Sequence, residues 1–227
     1  MLYRQLQLYL AAKRCAIIGS SYTLLTALKI SGRERKLRVF LIGDSIRLNS
    51  EKYVVKNLSK DSYLSSPSEN CESSIKVKEN LDSWLSRENF DLIHLNCGLH
   101  DVRYNPGQKG PVCSKKRYCE NLESIFGRLA QRGSSVIWAT STPIDEIVHN
   151  AVKDSRRFLK DIIEYNMASI ELAKKYNFRV NDLYNKTSTQ VLSDILLPDG
   201  IHFNEVGNAK IGTWISNAIN ETLSLLR

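Results

Sequence analysis

From residue 37 onward, short apolar runs alternate with longer segments whose apolar residues recur at steps of three and four. Leu37-Arg38-Val39-Phe40-Leu41-Ile42 reads as a strand covered on both faces, and residues 91–97, 135–140 and 178–180 repeat the signal. Between them lie helical patterns over residues 45–58, 75–85, 116–131, 155–176 and from about 204 to the end. Gly133 supplies a stop after the third of these. Residues 60–71 are polar and contain Ser65-Ser66-Pro67-Ser68, so they read as loop. Strand–helix alternation of this kind specifies an α/β domain, a mostly parallel sheet with helices on both faces. Ligands of such sheets bind beyond the carboxyl ends of the strands. Residues 43–45, 98–101 and 141–143 each follow a strand end, so the alternation predicts that they share one rim.

Two of the segments that this rim can gather carry chemistry. Gly43-Asp44-Ser45 places a serine where the first strand turns into a helix, among the unpaired N–H groups of a helix start. Capping alone also explains Asp and Ser there, and Asp44 is assigned that structural role. Asp199-Gly200-Ile201-His202 sets a carboxylate and an imidazole three residues apart in turn chemistry, with Gly200 allowing the tight bend. Ser45 as nucleophile, His202 as base and Asp199 as its orienter would make the three roles of serine hydrolysis. A third segment, Gly98-Leu99-His100-Asp101, offers a glycine where backbone can approach a ligand and a side-chain N–H donor two residues later. Asp101 also fits a capping role. Arg47, Tyr104 and the basic loop over residues 103–117 are candidate substrate contacts.

Taken in this order, these segments resemble the GDSL hydrolases, also called the SGNH hydrolase superfamily, over residues 37–220. That family carries Gly-Asp-Ser near the start, a glycine before the second helix, Gly-x-Asn-Asp after the next strand and Asp-x-x-His near the C-terminus. The resemblance implies a flavodoxin-like three-layer α/β/α sandwich and a Ser45–His202–Asp199 triad. It implies no metal or organic cofactor. Two positions depart from the pattern. The asparagine that donates to the oxyanion is His100 here, and an imidazole N–H makes the same bond only in the right tautomer. The glycine before the second helix is missing from Asn70-Cys71-Glu72-Ser73-Ser74. The backbone N–H of Cys71 or Glu72 is the expected replacement donor, although an inward Glu72 carboxylate would repel an oxyanion.

The function expected on these grounds is hydrolysis of a small O-acyl ester, such as acetyl on a carbohydrate or other small molecule. Two alternatives stay open: a non-catalytic glycan- or partner-binding module on the same scaffold, and acyl transfer through the same serine. The net charge of +8 does not redirect this expectation to nucleic acid. Residues 1–36 hold seven basic residues and one acidic, while the rest of the chain is nearly balanced and carries no nucleic-acid motif. Those residues read as a basic extension of the domain at 37–227. Their 14-residue uncharged run is too short to span a bilayer, so no firm membrane association is expected. The five cysteines show no CxxC pair and no zinc spacing, so no metal site is expected. A cytoplasmic setting is the expectation, with export or surface association through residues 1–36, and a Cys113–Cys119 bridge, left open.

Overall fold

The computed structural model describes residues 35–86 and 88–226. All but the last two residues of the N-terminal extension therefore lie outside the described ones. Five strands form one sheet: β1 (Leu37–Ile42), β2 (Ser62–Ser65), β3 (Leu92–Leu95), β4 (Ser135–Ala139) and β5 (Arg179–Asn181). Their order is β2-β1-β3-β4-β5, and every neighbouring pair is parallel. Eight helices are described: α1 (Ser45–Asn57), α2 (Ser74–Trp84), α3 (Lys115–Ala130), α4 (Glu146–Val152), α5 (Leu159–Lys175), α6 (Leu183–Ser188), α7 (Leu192–Ile195) and α8 (Glu205–Ser224).

Register sorts the sheet's side chains between two helical layers. Leu41, His94 and Ile137 are lateral partners and so share one face, against which α1 and α8 pack. Ile42, Leu95 and Trp138 share the other. There the Phe126 ring of α3 meets Trp138 edge-on at 5.2 Å, and the buried indole N–H donates to Ser169 Oγ of α5 at 3.0 Å. The result is the expected α/β/α sandwich. Gly212 shows how close α1 and α8 lie, since a Cβ there would stand 2.4 Å from Tyr53 Cβ.

Three local readings need correction. Residues 60–71 are not all loop, because Ser62–Ser65 pairs with β1 as an edge strand. Four residues paired on one side only leave too little apolar alternation to announce a strand. The helix expected over 155–176 starts at Leu159, and a separate short helix, α4, precedes it. Cys113 and Cys119 are both free thiols, so no bridge joins them. Cys113 is buried beside Ser74 Oγ and Asn121 Nδ2.

This strand order places a topological switch between β1 and β3. The chain leaves β1 toward β2 on one side and returns through α2 to β3 on the other. The loops beyond the carboxyl ends of β1 and β3 therefore diverge and leave a crevice.

Candidate active site

Ser45 stands at the crevice as the first residue of α1. Asp44 caps that helix, its Oδ1 accepting from the Ile46 N–H at 2.9 Å. The Ser45 N–H has no partner among the described residues and is one of the open donors of the helix start. The first turn of α1 leaves room only for glycine at position 43, since a Cβ there would lie 2.6 Å from Arg47 Cβ.

The Asp199–His202 turn reaches the same point from the far end of the chain. His202 Nε2 lies 3.0 Å from Ser45 Oγ, and its Nδ1 lies 2.6 Å from Asp199 Oδ2. Asp199 Oδ1 accepts from the backbone N–H of Ile201 (3.1 Å) and His202 (3.0 Å), so a single carboxylate both shapes the turn and orients the ring. Burial alone would raise the Asp199 pKa. The bonds from the His202 ring and from these two N–H groups outweigh it and hold the group well below the usual carboxylate range. Asp199 is thus ionised, His202 Nδ1 is the donor, and Nε2 faces the serine as an acceptor.

Gly200, with φ of +70°, lets the turn rest on α4. A Cβ there would sit 2.8 Å from both Asp145 O and His149 N. The buried His149 continues the support. Its Nδ1 lies 3.1 Å from the Asp199 carbonyl oxygen, and its Nε2 lies 3.0 Å from Arg157 Nη1. Arg157 can only donate, so Nε2 accepts and the proton sits on Nδ1, where it bonds the carbonyl. Burial lowers the His149 pKa, in keeping with a neutral ring. Arg157 Nε then donates to Leu99 O at 2.7 Å, tying the turn to the segment after β3. Sequence reading missed His149 and Arg157 because their contacts span 50 and 58 residues and carry no motif.

The other expected site residues divide. His100 lines the cleft with Ser45 and His202, and its buried Nδ1 has no partner among the described residues. Burial lowers its pKa, and Arg157 and Arg103 add to this against the pull of Asp44, so the imidazole is neutral. Gly98 is a packing position, since a Cβ there would meet Ser141 Oγ at 2.3 Å. Asp101 caps the start of α2 rather than the chain after it. Its carboxylate takes the Ser74 N–H at 2.9 Å and the Ser74 hydroxyl at 2.5 Å.

Neither expected backbone donor before α2 is free. The Cys71 N–H bonds Gly43 O at 3.2 Å, and the Glu72 N–H bonds Asn70 Oδ1 at 2.8 Å. Glu72 has φ of +53°, a conformation that favours glycine, which locates where the family's glycine is missed. Its carboxylate pairs with Lys76 at 3.1 Å. Asn70, unremarked in the sequence, lines the cleft instead. Because Oδ1 holds the Glu72 N–H, the amide's other end, Nδ2, is the donor left without a partner among the described residues.

Arg47 is no substrate contact. It is 4% exposed and braces α1 to the loop before α2, with Nη2 donating to Glu69 O at 2.6 Å and Nη1 paired with Glu51 at 2.7 Å. Tyr104 also lies apart, donating to Asp161 Oδ2 at 2.9 Å in a neighbouring hollow. Of the basic loop, only Arg103 enters the cleft. No group of three or more His, Cys, Asp or Glu fit to hold a metal occurs among the described residues. No helix among them is long and apolar enough to cross a membrane.

Chemically, the arrangement can take a proton from Ser45 to His202 and hold the resulting imidazolium against Asp199. It does so in an open cleft of about 710 Å³ flanked by donors.

Comparison by sequence finds no matching protein family and no matching curated protein. Comparison of structures finds many. An acetyl xylan esterase, AlAXEase, superposes with a TM-score of 0.65 at 19% identity, covering 81% of this chain and 100% of that one. A lipase/acylhydrolase from Enterococcus faecalis gives 0.66 at 20%, covering 82% and 96%. A GDSL-like lipase from Bacteroides thetaiotaomicron gives 0.64 at 16%, covering 89% and 97%. At these identities the likeness establishes the fold: the chain has the α/β/α architecture of the GDSL-like lipases and acylhydrolases.

Proposed function

We propose that this protein is a serine esterase that hydrolyses a short O-acyl ester. The observation that carries the reading is the unbroken relay Ser45 Oγ–His202 Nε2 (3.0 Å) and His202 Nδ1–Asp199 Oδ2 (2.6 Å), assembled from residues more than 150 positions apart. A capping serine has no need of an imidazole, and a turn has no need to aim one at a serine.

In this reading Ser45 Oγ attacks the acyl carbonyl while His202 Nε2 takes its proton. Asp199 stabilises the imidazolium without accepting the proton. The tetrahedral oxyanion is met by the Ser45 N–H, by His100 and by Asn70 Nδ2, the donor that stands in for the backbone N–H groups spent at Cys71 and Glu72. His202 then protonates the departing alcohol and activates the water that releases the acid. Two of the named structural neighbours are an acetyl xylan esterase and a lipase/acylhydrolase. They favour an ester substrate, and acetyl is the acyl group to try first.

The test is labelling with a fluorophosphonate, with the adduct located by peptide mass, beside turnover of p-nitrophenyl acetate. Wild type is expected to carry the label on Ser45, and Ser45→Ala to lose both label and turnover, the latter by at least 10³-fold. A folded Ser45→Ala protein that still turns over the ester at the wild-type rate would refute the assignment.

A further inference from the structure

The cleft beside Ser45 is lined by two arginines, Arg103 and Arg157, that pair with no acid among the described residues. Tyr104 and Arg156 form an antiparallel bridge, Tyr104 N–H to Arg156 O at 2.8 Å and Arg156 N–H to Tyr104 O at 3.0 Å. Arg103 and Arg157 are the next residues out on that bridge. Carried one residue beyond this isolated bridge, antiparallel pairing sets them opposite each other on one face, where directly facing side chains have Cβ atoms about 5 Å apart. Like charges in that position repel and destabilise the pairing. No carboxylate lies within ion-pair distance of either guanidinium among the described residues, although ten other basic side chains in the fold have such a partner.

Both residues line the Ser45 cleft. Arg157 is 6% exposed and spends Nε on Leu99 O and Nη1 on His149, which leaves Nη2 without a partner among the described residues. Among the described residues Arg103 has no side-chain hydrogen-bond partner, and its Nε is buried. Burial, with repulsion from Arg103 added to it, pulls the Arg157 pKa down to about 10, so the group is still a cation at neutral pH. Two acids act on Arg157 through space without pairing with it. Asp199 is bonded to His202 and paired with Lys153 at 3.4 Å, and Asp44 caps α1 through Oδ1, its buried Oδ2 having no hydrogen-bond partner among the described residues. Two guanidiniums on one cleft, neither ion-paired with an acid among the described residues, suit an oxyanionic group from outside the chain.

We infer that Arg103 and Arg157 form an anion subsite, and that the ester this site takes carries a carboxylate or phosphate beside the scissile bond. The inference rests on the esterase reading only for the word ester; the anion subsite itself can be tested without turnover. It also gives the substrate a handle on the reacting groups, since Arg157 reaches the Asp199 turn through His149.

The experiment compares three mono-O-acetylated probes: a methyl glucoside, the corresponding methyl glucuronide, and the methyl glucoside 6-phosphate. Binding is measured by calorimetry on full-length Ser45→Ala protein, which cannot consume them, and on Ser45→Ala/Arg103→Gln. Wild-type turnover of each probe is measured in parallel. The expected result is at least tenfold tighter binding of an anionic probe than of the neutral one, weakening as salt is raised. Arg103→Gln should reduce that preference to within twofold. Whichever of the two anionic probes gains more identifies carboxylate or phosphate as the group. Among the described residues the Arg103 side chain bonds no other, so its loss is expected to leave the fold intact, and a thermal melt of the variant checks this. Equal binding of all three probes, or a preference that survives Arg103→Gln, would overturn the subsite. Selective binding with no turnover of any probe would uphold the subsite and count against the esterase. Turnover of all three without selective binding would do the reverse.

Discussion

Asp199→Asn separates the chemical role of the carboxylate from its structural one. The amide keeps one oxygen, which can go on accepting from the Ile201 and His202 N–H groups that now sit 3.1 and 3.0 Å from Oδ1. In place of Oδ2 stands an NH₂, 2.6 Å from His202 Nδ1. Two donors cannot share that contact, so the imidazole must move its proton to Nε2 and offer Nδ1 as acceptor. Nε2–H then points at Ser45 Oγ across 3.0 Å, and the base is gone while the geometry stays. The stability cost is one charge-assisted bond, up to about 3 kcal/mol, so the protein still folds. The kinetic cost is roughly 10³–10⁴ in kcat, about 4–5.5 kcal/mol of transition-state stabilisation at 1.36 kcal/mol per decade. Steady-state hydrolysis of p-nitrophenyl acetate, beside urea unfolding of the same preparation, measures both. A folded variant retaining more than a tenth of wild-type kcat would show that Asp199 does not set the His202 tautomer, and the relay argument would fall.

Two further perturbations probe what holds the site. Gly200→Ala adds a Cβ 2.8 Å from Asp145 O and His149 N at a residue with φ of +70°. It is expected to cost roughly 1–3 kcal/mol in strain and, by shifting the Asp199–His202 turn, to lower kcat at least tenfold. Unchanged kcat and melting temperature would contradict this. Burial pushes the Asp101 carboxyl from its ordinary 3.8 up to about 6, against the bonds from Ser74. The folded chain then holds the proton over a range where the unfolded chain has released it. Stability from this group is therefore full below about pH 4 and falls by about 3 kcal/mol as pH rises to about 6. Asp101→Asn removes that titration, so the wild-type-minus-variant difference in urea unfolding free energy should fall by this amount across the window. A flat or rising difference would refute it.

What was legible in the sequence is what repeats locally or is carried by a short motif. The apolar runs of β1, β3 and β4 announce themselves because both faces of each are covered. Gly43-Asp44-Ser45 and Asp199-Gly200-Ile201-His202 are readable because each packs its chemistry into three or four residues. The rest was set by long-range contact. Arg47 looked like a substrate contact, yet Glu69, 22 positions away, supplies the carbonyl that buries it. Cys71 and Glu72 looked like donors because any residue has an N–H. Whether that N–H is spent depends on Gly43 O and on Asn70's side chain, which no local pattern encodes. Arg103 and Arg157 are ordinary basic residues 54 positions apart until the Tyr104–Arg156 bridge sets them face to face.

The unsatisfied groups of the fold point to the same place as the motifs. Among the described residues, seven buried side-chain atoms lack a hydrogen-bond partner, and three of them, Asp44 Oδ2, His100 Nδ1 and Arg103 Nε, belong to residues of the Ser45 cleft. Each such group costs roughly 1–3 kcal/mol, and a fold selected for stability alone would have paired them or filled their places with apolar side chains. The same region holds Glu72 in a left-handed conformation and Gly200 pressed against α4. Backbone strain and open donors persist together where the surrounding structure holds them against a ligand. Here that support is visible: Arg47 fixes the loop before α2, Asp101 fixes the start of α2, and the Arg157–His149 pair fixes the turn that carries Asp199. The Ser45 cleft is thus braced by hydrogen bonds from three sides. The proposed esterase reading asks for such an arrangement, donors held in place where charge develops during reaction.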